Sequence, residues 1–195
     1  MLKKLGLLIL LTVSVFGMHN VGLNVNNKDL EIGLKFDMGQ FNDNIEPDIA
    51  FIGGKFIHGD YTHGDINSTY MKDYAEISFL MIRNVQDSGF SIGLGMKINS
   101  TKNFITVPLG MEFKYKILHL KALPMSVGAM VYYAPDVLSL SDAKNFFEYR
   151  LEYDIEVMKH ANVTMGYRNI DTNYIDARGD LNYNHSFYVG FRFSF

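Results

Sequence analysis

The sequence closes on His185-Ser186-Phe187-Tyr188-Val189-Gly190-Phe191-Arg192-Phe193-Ser194-Phe195, and this stretch decides the fold. Phe187, Val189, Phe191, Phe193 and Phe195 occupy alternate positions, with Ser186, Tyr188, Gly190, Arg192 and Ser194 between them. An extended strand turns successive side chains to opposite faces, so one face here is strongly apolar and the other accepts a charge. In water such a strand is an exposed sheet edge and an aggregation hazard. As the closing strand of a membrane barrel it is neither, because lipid takes the phenylalanines and neighbouring strands take the backbone groups.

The same alternation recurs toward the N-terminus. Over 30–38, Leu30, Ile32, Leu34, Phe36 and Met38 oppose Glu31, Gly33, Lys35 and Asp37. Over 90–99, Phe90, Ile92, Leu94, Met96 and Ile98 oppose Ser91, Gly93, Gly95, Lys97 and Asn99. Over 105–117, the apolar set from Ile105 to Ile117 opposes Thr106, Pro108, Gly110, Glu112, Lys114 and Lys116. Over 147–157, the set from Phe147 to Val157 opposes Glu148, Arg150, Glu152, Asp154 and Glu156. Segments 125–133 and 163–168 repeat the pattern in shorter form, the latter with Arg168 on its polar side. Helical spacing would scatter each set around an axis; only a strand sorts them. Segment 21–26 alternates but is short. Segments 48–58 and 70–85 are strand-like but mixed, with Ile49, Phe51 and Leu80 on the wrong face. Pro108 removes a ladder donor in mid-strand and predicts a bulge.

Long and short connections alternate between these segments, as an up-and-down membrane barrel requires. Counting back from a closing strand that descends to the periplasm, 173–184, 135–145, 100–103 and 60–69 fall outside. Connections 158–161, 118–124, 86–89 and 39–47 fall inside. Nine segments run from Leu30 onward, and 21–26, joined by a turn at 27–29, makes ten. Eight strands, with the N-terminal hairpin merged or outside the wall, is the alternative. The expected fold class is all-β: a transmembrane up-and-down antiparallel β-barrel.

Residues 1–17 read as a secretory signal peptide, with Lys3 and Lys4 ahead of an apolar core at 5–16. Val15 and Gly17 are small enough for cleavage before Met18, leaving 18–195 as the barrel. The apolar run is shorter than the roughly 20 residues a spanning helix needs. Formal net charge is −3, and about −5 without the two signal lysines. That argues against nucleic acid as a partner, since phosphate binding needs clustered Lys and Arg. There is no cysteine, hence no disulfide framework, thiolate nucleophile or lipobox. Hydrophobic residues make up 48% of the chain with no long apolar run after the signal, which excludes a helical membrane protein and suits a barrel.

From Met130 onward the chain resembles the YfaZ family of small bacterial outer-membrane proteins. Tyr132-Tyr133-Ala134-Pro135-Asp136-Val137-Leu138-Ser139 looks like that family's tyrosine-rich, Pro-Asp-bearing segment. An alternating strand with Glu148 and Glu152, then Met165-Gly166-Tyr167-Arg168, then Tyr188-Val189-Gly190 and a terminal Phe follow in similar order and spacing. Between Leu30 and Leu120 the likeness is in strand layout alone, and Asp60–Asp65 stands in place of the family's central acidic stretch. Alternation ending in Phe is also similar to the assembly signal of bacterial outer-membrane proteins, here Phe187, Val189, Phe191, Phe193 and Phe195. The resemblance implies a small barrel of unassigned activity in a Gram-negative outer membrane. Its expected partners are outer-membrane lipid and, during export, the barrel-assembly machinery and periplasmic chaperones.

The polar faces carry Glu31, Lys35, Asp37, Lys97, Glu112, Lys114, Lys116, Glu148, Arg150, Glu152, Asp154, Glu156, Arg168 and Arg192. Each would cost roughly 2–4 kcal/mol on the lipid side near the midplane, so they belong in the lumen. Near-balanced acid and base predict an interior filled by ion pairs, and hence a structural or surface protein with a closed or nearly closed lumen. The alternative is a narrow porin-like diffusion channel, with weak cation preference from Glu152, Asp154 and Glu156. A second alternative is an outer-rim enzyme using His58, His63 or His185 beside Asp60, Asp136, Asp142 or Asp180, although no nucleophile elbow, phosphate loop or H-E-x-x-H is present. His58, Asp60, His63 and Asp65 are also the one group with metal-ligand residue types, and equally suit a solvated loop. No cofactor is expected. Tyr132, Tyr133, Tyr167 and Tyr188 are expected in the aromatic girdles at headgroup level, and Pro135-Asp136 to turn the chain at the outer rim.

Overall fold

The fold is seen in a computed structural model that describes residues 19–59, 73–85, 88–102, 104–117, 123–174 and 180–195. The expected signal peptide at 1–17 and the connection at 60–69 lie outside the described residues. Twelve strands are present among the described residues: β1 (Asn20–Val25), β2 (Asp29–Asp37), β3 (Ala50–Gly59), β4 (Tyr74–Asn84), β5 (Phe90–Ser100), β6 (Phe104–Thr106), β7 (Leu109–Ile117), β8 (Met125–Ala134), β9 (Ser139–Ser141), β10 (Ala143–Met158), β11 (Ala161–Tyr174) and β12 (Asp180–Ser194). Ten of them form the wall, each antiparallel to its neighbours in the chain, and β1 pairs with β12 to close the ring. The short pair β6–β9 extends the wall at one end. The barrel has ten strands, and the eight-stranded alternative is set aside because β1 and β2 stand in the wall.

Closure is completed at the chain ends. His19 N–H donates to Phe195 O at 2.7 Å, and Phe195 N–H returns the bond to His19 O at 2.9 Å. Backbone donors and acceptors that would be orphaned in lipid are thereby paired around the circumference. We call this the termini end and the opposite one the far end. The strands are longest on one side: β10, β11 and β12 have 16, 14 and 15 residues, against 6 in β1. A crossing strand needs about 9–11 residues, so this side of the wall outreaches the bilayer at the far end. The expected outer connections 135–145 and 173–184 are correspondingly shortened, because strand continues into both of them.

The bulge expected at Pro108 does not form. Asn99 pairs with Thr106 and Met96 with Leu109, three residues further along each strand, so the register with β5 runs straight through the proline. Pro108 still accepts from Lys97 N–H through its carbonyl at 2.9 Å. The break is on the other side, where β7 pairs with β8 and β6, still paired with β5, takes β9 as its other neighbour.

The outer surface carries the apolar half of every alternation. Leu23, Ile32, Leu34, Ile77, Leu94, Met111, Val131, Leu151, Met165, Val189 and Phe191 are all exposed. A water-soluble barrel would bury these side chains, whereas a lipid-facing wall requires them outside. The polar half faces inward, and the interior is accordingly the place to look for function.

Candidate functional site

The lumen is crossed by an ion-pair layer. Arg150 on β10 meets Glu31 on β2 through two parallel bonds, Nη1 to Oε1 at 2.7 Å and Nη2 to Oε2 at 2.6 Å. Arg168 on β11 reaches the same Glu31 carboxylate and donates to Asp29 at 2.6 Å. Asn184 accepts from Arg168 Nε at 3.2 Å and donates to Asp29 at 2.5 Å, and Asn24 donates to Glu31 at 2.7 Å. Beside this group, Lys55 lies 2.8 Å from Glu76 and 3.0 Å from Glu148. Lys97 lies 2.8 Å from Glu148 and 3.4 Å from Glu76, with its ammonium 3.8 Å from the centre of the Tyr132 ring. Nearer the termini end, Arg192 binds Glu152 at 2.9 Å and Asp154 at 2.8 Å. There Lys114 lies 3.1 Å from Asp154, and Lys35 lies 3.3 Å from Glu112. Seven cations thus face seven carboxylates (Asp29, Glu31, Glu76, Glu112, Glu148, Glu152 and Asp154) among the described residues. Buried charge is tolerable only when it is paired and hydrogen-bonded, and this balance supplies both conditions.

Beyond that layer the far end is roofed. Ile57, Tyr74, Phe104, Ala134, Ala143, Phe146, Ile170 and Tyr174 form one buried apolar cluster, with Leu138 packed on it. Phe104 sits 6.1 Å from Phe146 and 6.5 Å from Tyr174, ring centre to ring centre. All of these come from the far ends of their strands or the segment between β8 and β10, so the roof is built by the strand extensions.

Inward-facing glycines shape what remains. A Cβ on Gly95 or Gly110 would collide with the Tyr132 ring, and one on Gly166 with Tyr188. Each tyrosine lies over bare backbone and sends its hydroxyl to a carboxylate: Tyr132 to Glu112 and Tyr188 to Glu152, both at 2.8 Å. At Gly22 a Cβ would meet nothing within 4 Å, and at Gly33 only a carbonyl oxygen at 4.0 Å. These open positions border a cavity of about 280 Å³. Its inner wall is the ion-pair layer (Glu31, Lys55, Glu76, Lys97, Arg150), and its other lining includes Asn20, Ile82, Ser91 and Arg192 near the termini end. The cavity is a cup that opens at that end and stops at the ion pairs.

The expected lumen charges are placed unequally. Glu31, Lys97, Glu148, Arg150 and Arg168 are buried in the layer, while Lys35, Glu112, Lys114, Glu152 and Arg192 stand around the cup with buried Asp154 behind them. Asp37 is elsewhere: its buried carboxylate accepts from Gly39 N–H at 3.0 Å and Asp48 N–H at 2.9 Å, tying down the turn after β2. Lys116 is exposed and Glu156 half-exposed, both toward the termini ends of their strands. Phe187, Val189, Phe191 and Phe193 project outward, while Phe195 packs edge-on against buried His19 at 6.1 Å. His58 points outward and pairs with exposed Asp73 at 2.7 Å; Asp60, His63 and Asp65 lie outside the described residues. His185 is bonded to Tyr167 on the outer wall at 2.7 Å, Asp136 opens the turn before β9, and Asp142 and Asp180 flank strand starts. Of the four tyrosines expected in the girdles, Tyr133 and Tyr167 face outward, whereas Tyr132 and Tyr188 are buried in the lumen. The sequence reading missed Lys55, Glu76 and Asp29. A signal was present for the first two, since Lys55 lies four residues from Phe51 and Glu76 four from Leu80, on the faces set aside as mixed.

Comparison with known proteins adds a family. A model of the YfaZ precursor family matches residues 4–195. No curated protein matches the chain. Among solved structures it is similar to the KdgM porin, at TM-score 0.47 and 9% identity over 91% of this chain and 99% of that one. The NanC porin is similar at TM-score 0.45 and 8% identity over the same shares. The outer-membrane channel DcaP of Acinetobacter baumannii is similar at TM-score 0.40 and 10% identity, over 88% of this chain and 54% of that one.

Proposed function

Because the chain belongs to the YfaZ precursor family and folds as an outer-membrane β-barrel, we propose that it serves as a structural or surface protein whose lumen is closed to through-flow. The observation that carries this reading is the double closure: a cross-lumen ion-pair layer backed by an apolar roof at the far end. Ten strands enclose a narrow interior, and long charged side chains fill it. The test is liposome swelling with the refolded chain in iso-osmotic arabinose. Vesicles should swell no faster than protein-free ones, and porin-like swelling would overturn the reading. The narrow diffusion channel is the second reading, favoured by the cup that already reaches from the termini end to the ion pairs.

The reading is non-enzymatic, as His58 and His185 point outward from separate strands. It includes export with cleavage before Met18, checked by the intact mass of protein recovered from outer membranes. It also includes outer-membrane lipid as the lasting partner, and passage through periplasmic chaperones and the barrel-assembly machinery guided by the alternating set Phe187, Val189, Phe191, Phe193 and Phe195. Impaired assembly on replacing Phe193 and Phe195 would support that route, and normal assembly would contradict it.

A further inference from the structure

The cup presents its cations to open space and keeps its carboxylates behind them. Lys35 has 45% of its side chain exposed against 21% for its partner Glu112. Lys114 has 42% exposed against 6% for Asp154. Arg192 has 24% against 6% for Asp154 and 20% for Glu152. Net charge in the lumen is balanced, but around the cup each cation is more exposed than the carboxylate it pairs with. The Glu152-Asp154-Glu156 run, which in sequence suggests a preference for cations, is screened by Arg192 and Lys114 at two of its three positions. Deeper in, Arg150 lines the same cavity, is buried, and has an Nε without a hydrogen-bond partner. That Nε is itself enclosed by protein, so Arg150 adds positive charge to the floor of the cup and no free donor.

We propose that the cup is a binding site for a small organic anion bearing carboxylate or phosphate groups, held by Lys35, Lys114 and Arg192. The volume, about 280 Å³, suits a small metabolite-sized solute, and low-dielectric walls whose most exposed charges are the cations Lys35 and Lys114 concentrate anions. The site rests on the closed-lumen reading in one respect: the ion-pair layer is its floor, so the ligand enters and leaves at the termini end.

The absence of cysteine makes the test direct. Gly22→Cys places a single thiol where a Cβ meets nothing within 4 Å, and Asn44→Cys places one on an exposed turn at the same end. Each refolded variant is reacted with the anionic sulfonatoethyl and the cationic trimethylammonioethyl methanethiosulfonates. The anionic-to-cationic rate ratio at Gly22→Cys should exceed that at Asn44→Cys about tenfold. Citrate should slow the Gly22→Cys reaction saturably. Adding Lys35→Gln and Lys114→Gln should bring the ratio down to the Asn44→Cys value, and Lys→Arg at both sites should restore it. Equal ratios in the cup and on the turn, failure of citrate to protect, or no reaction in the cup each overturn the proposal. The closed-lumen reading fails by a different observation, passage of solute through the barrel, so the two are separable.

Discussion

Arg150 and Glu31 grip each other across the lumen, guanidinium to carboxylate, at 2.7 and 2.6 Å. β10 and β2 are separated by β1, β12 and β11 on one side of the ring and by β3, β4, β5, β7 and β8 on the other. The pair is therefore a tie between opposite walls, and Arg168 and Asn24 fix the same carboxylate from two further strands. Removing one member of a buried pair leaves an uncompensated charge, at a cost of about 3–5 kcal/mol. Glu31→Ala should lower unfolding stability in lipid vesicles by that amount. Glu31→Met combined with Arg150→Met should cost less than the sum of the two single changes, because neither charge is then left alone.

The three tyrosine–glycine contacts predict an asymmetry among glycines. At Gly110 an added Cβ would stand 2.2 Å from Val131 O and 2.5 Å from the Tyr132 ring. Gly110→Ala should therefore reduce the yield of folded, SDS-resistant barrel, and Gly110→Val should abolish it. Gly22→Ala, which enters open space, should fold like the parent chain. The ratio of folded to unfolded bands on unheated gels measures the difference.

How far this was legible in the sequence depends on the face. The lipid side was readable because lipid demands apolar residues at every second position, and Leu94, Met111 and Phe191 obey without exception in their strands. The lumen imposes no such uniform demand. Phe51, Ile57, Tyr74 and Leu80 are buried inside although apolar or aromatic, so β3 and β4 looked mixed and their Lys55 and Glu76 went unassigned. The roof was hidden for the same reason: Ala143 and Tyr174 fell in stretches taken as outer connections and Phe146 just past the end of one, where strand extension and inward burial leave no period of their own. Asp29 lay in an expected turn, and the contacts from Arg168 on β11 and Asn184 on β12 reveal its role.

The outer wall can be tested by misplacing a charge. Leu94 is exposed on the lipid side of β5. Leu94→Arg should cost roughly 2–4 kcal/mol of folding free energy in bilayers if it lies near the midplane. Met130→Arg, on a side chain lining the cavity, should cost less, since the cup can solvate it. Equilibrium unfolding in vesicles of both variants separates the two faces.

The roof and the ion-pair layer are two independent closures, which yields a further expectation. Phe104→Ala opens a hole in the apolar cluster and should cost about 3–5 kcal/mol. It should leave the barrel non-conducting, because the Arg150–Glu31 tie still spans the lumen. Only when Phe104→Ala is combined with Glu31→Ala and Arg150→Ala should current appear. Planar-bilayer recordings of the single and triple variants check the order of closure.

The most direct test of the closed lumen is single-channel recording of the refolded parent chain in a planar bilayer with neutral salt. Folding is verified on the same preparation by its unheated gel mobility. The account predicts a silent bilayer at every voltage the membrane withstands. Discrete, reproducible current steps from the folded parent chain would contradict it, and would mean that the ion pairs between Arg150, Glu31 and their neighbours line a water path instead of sealing one.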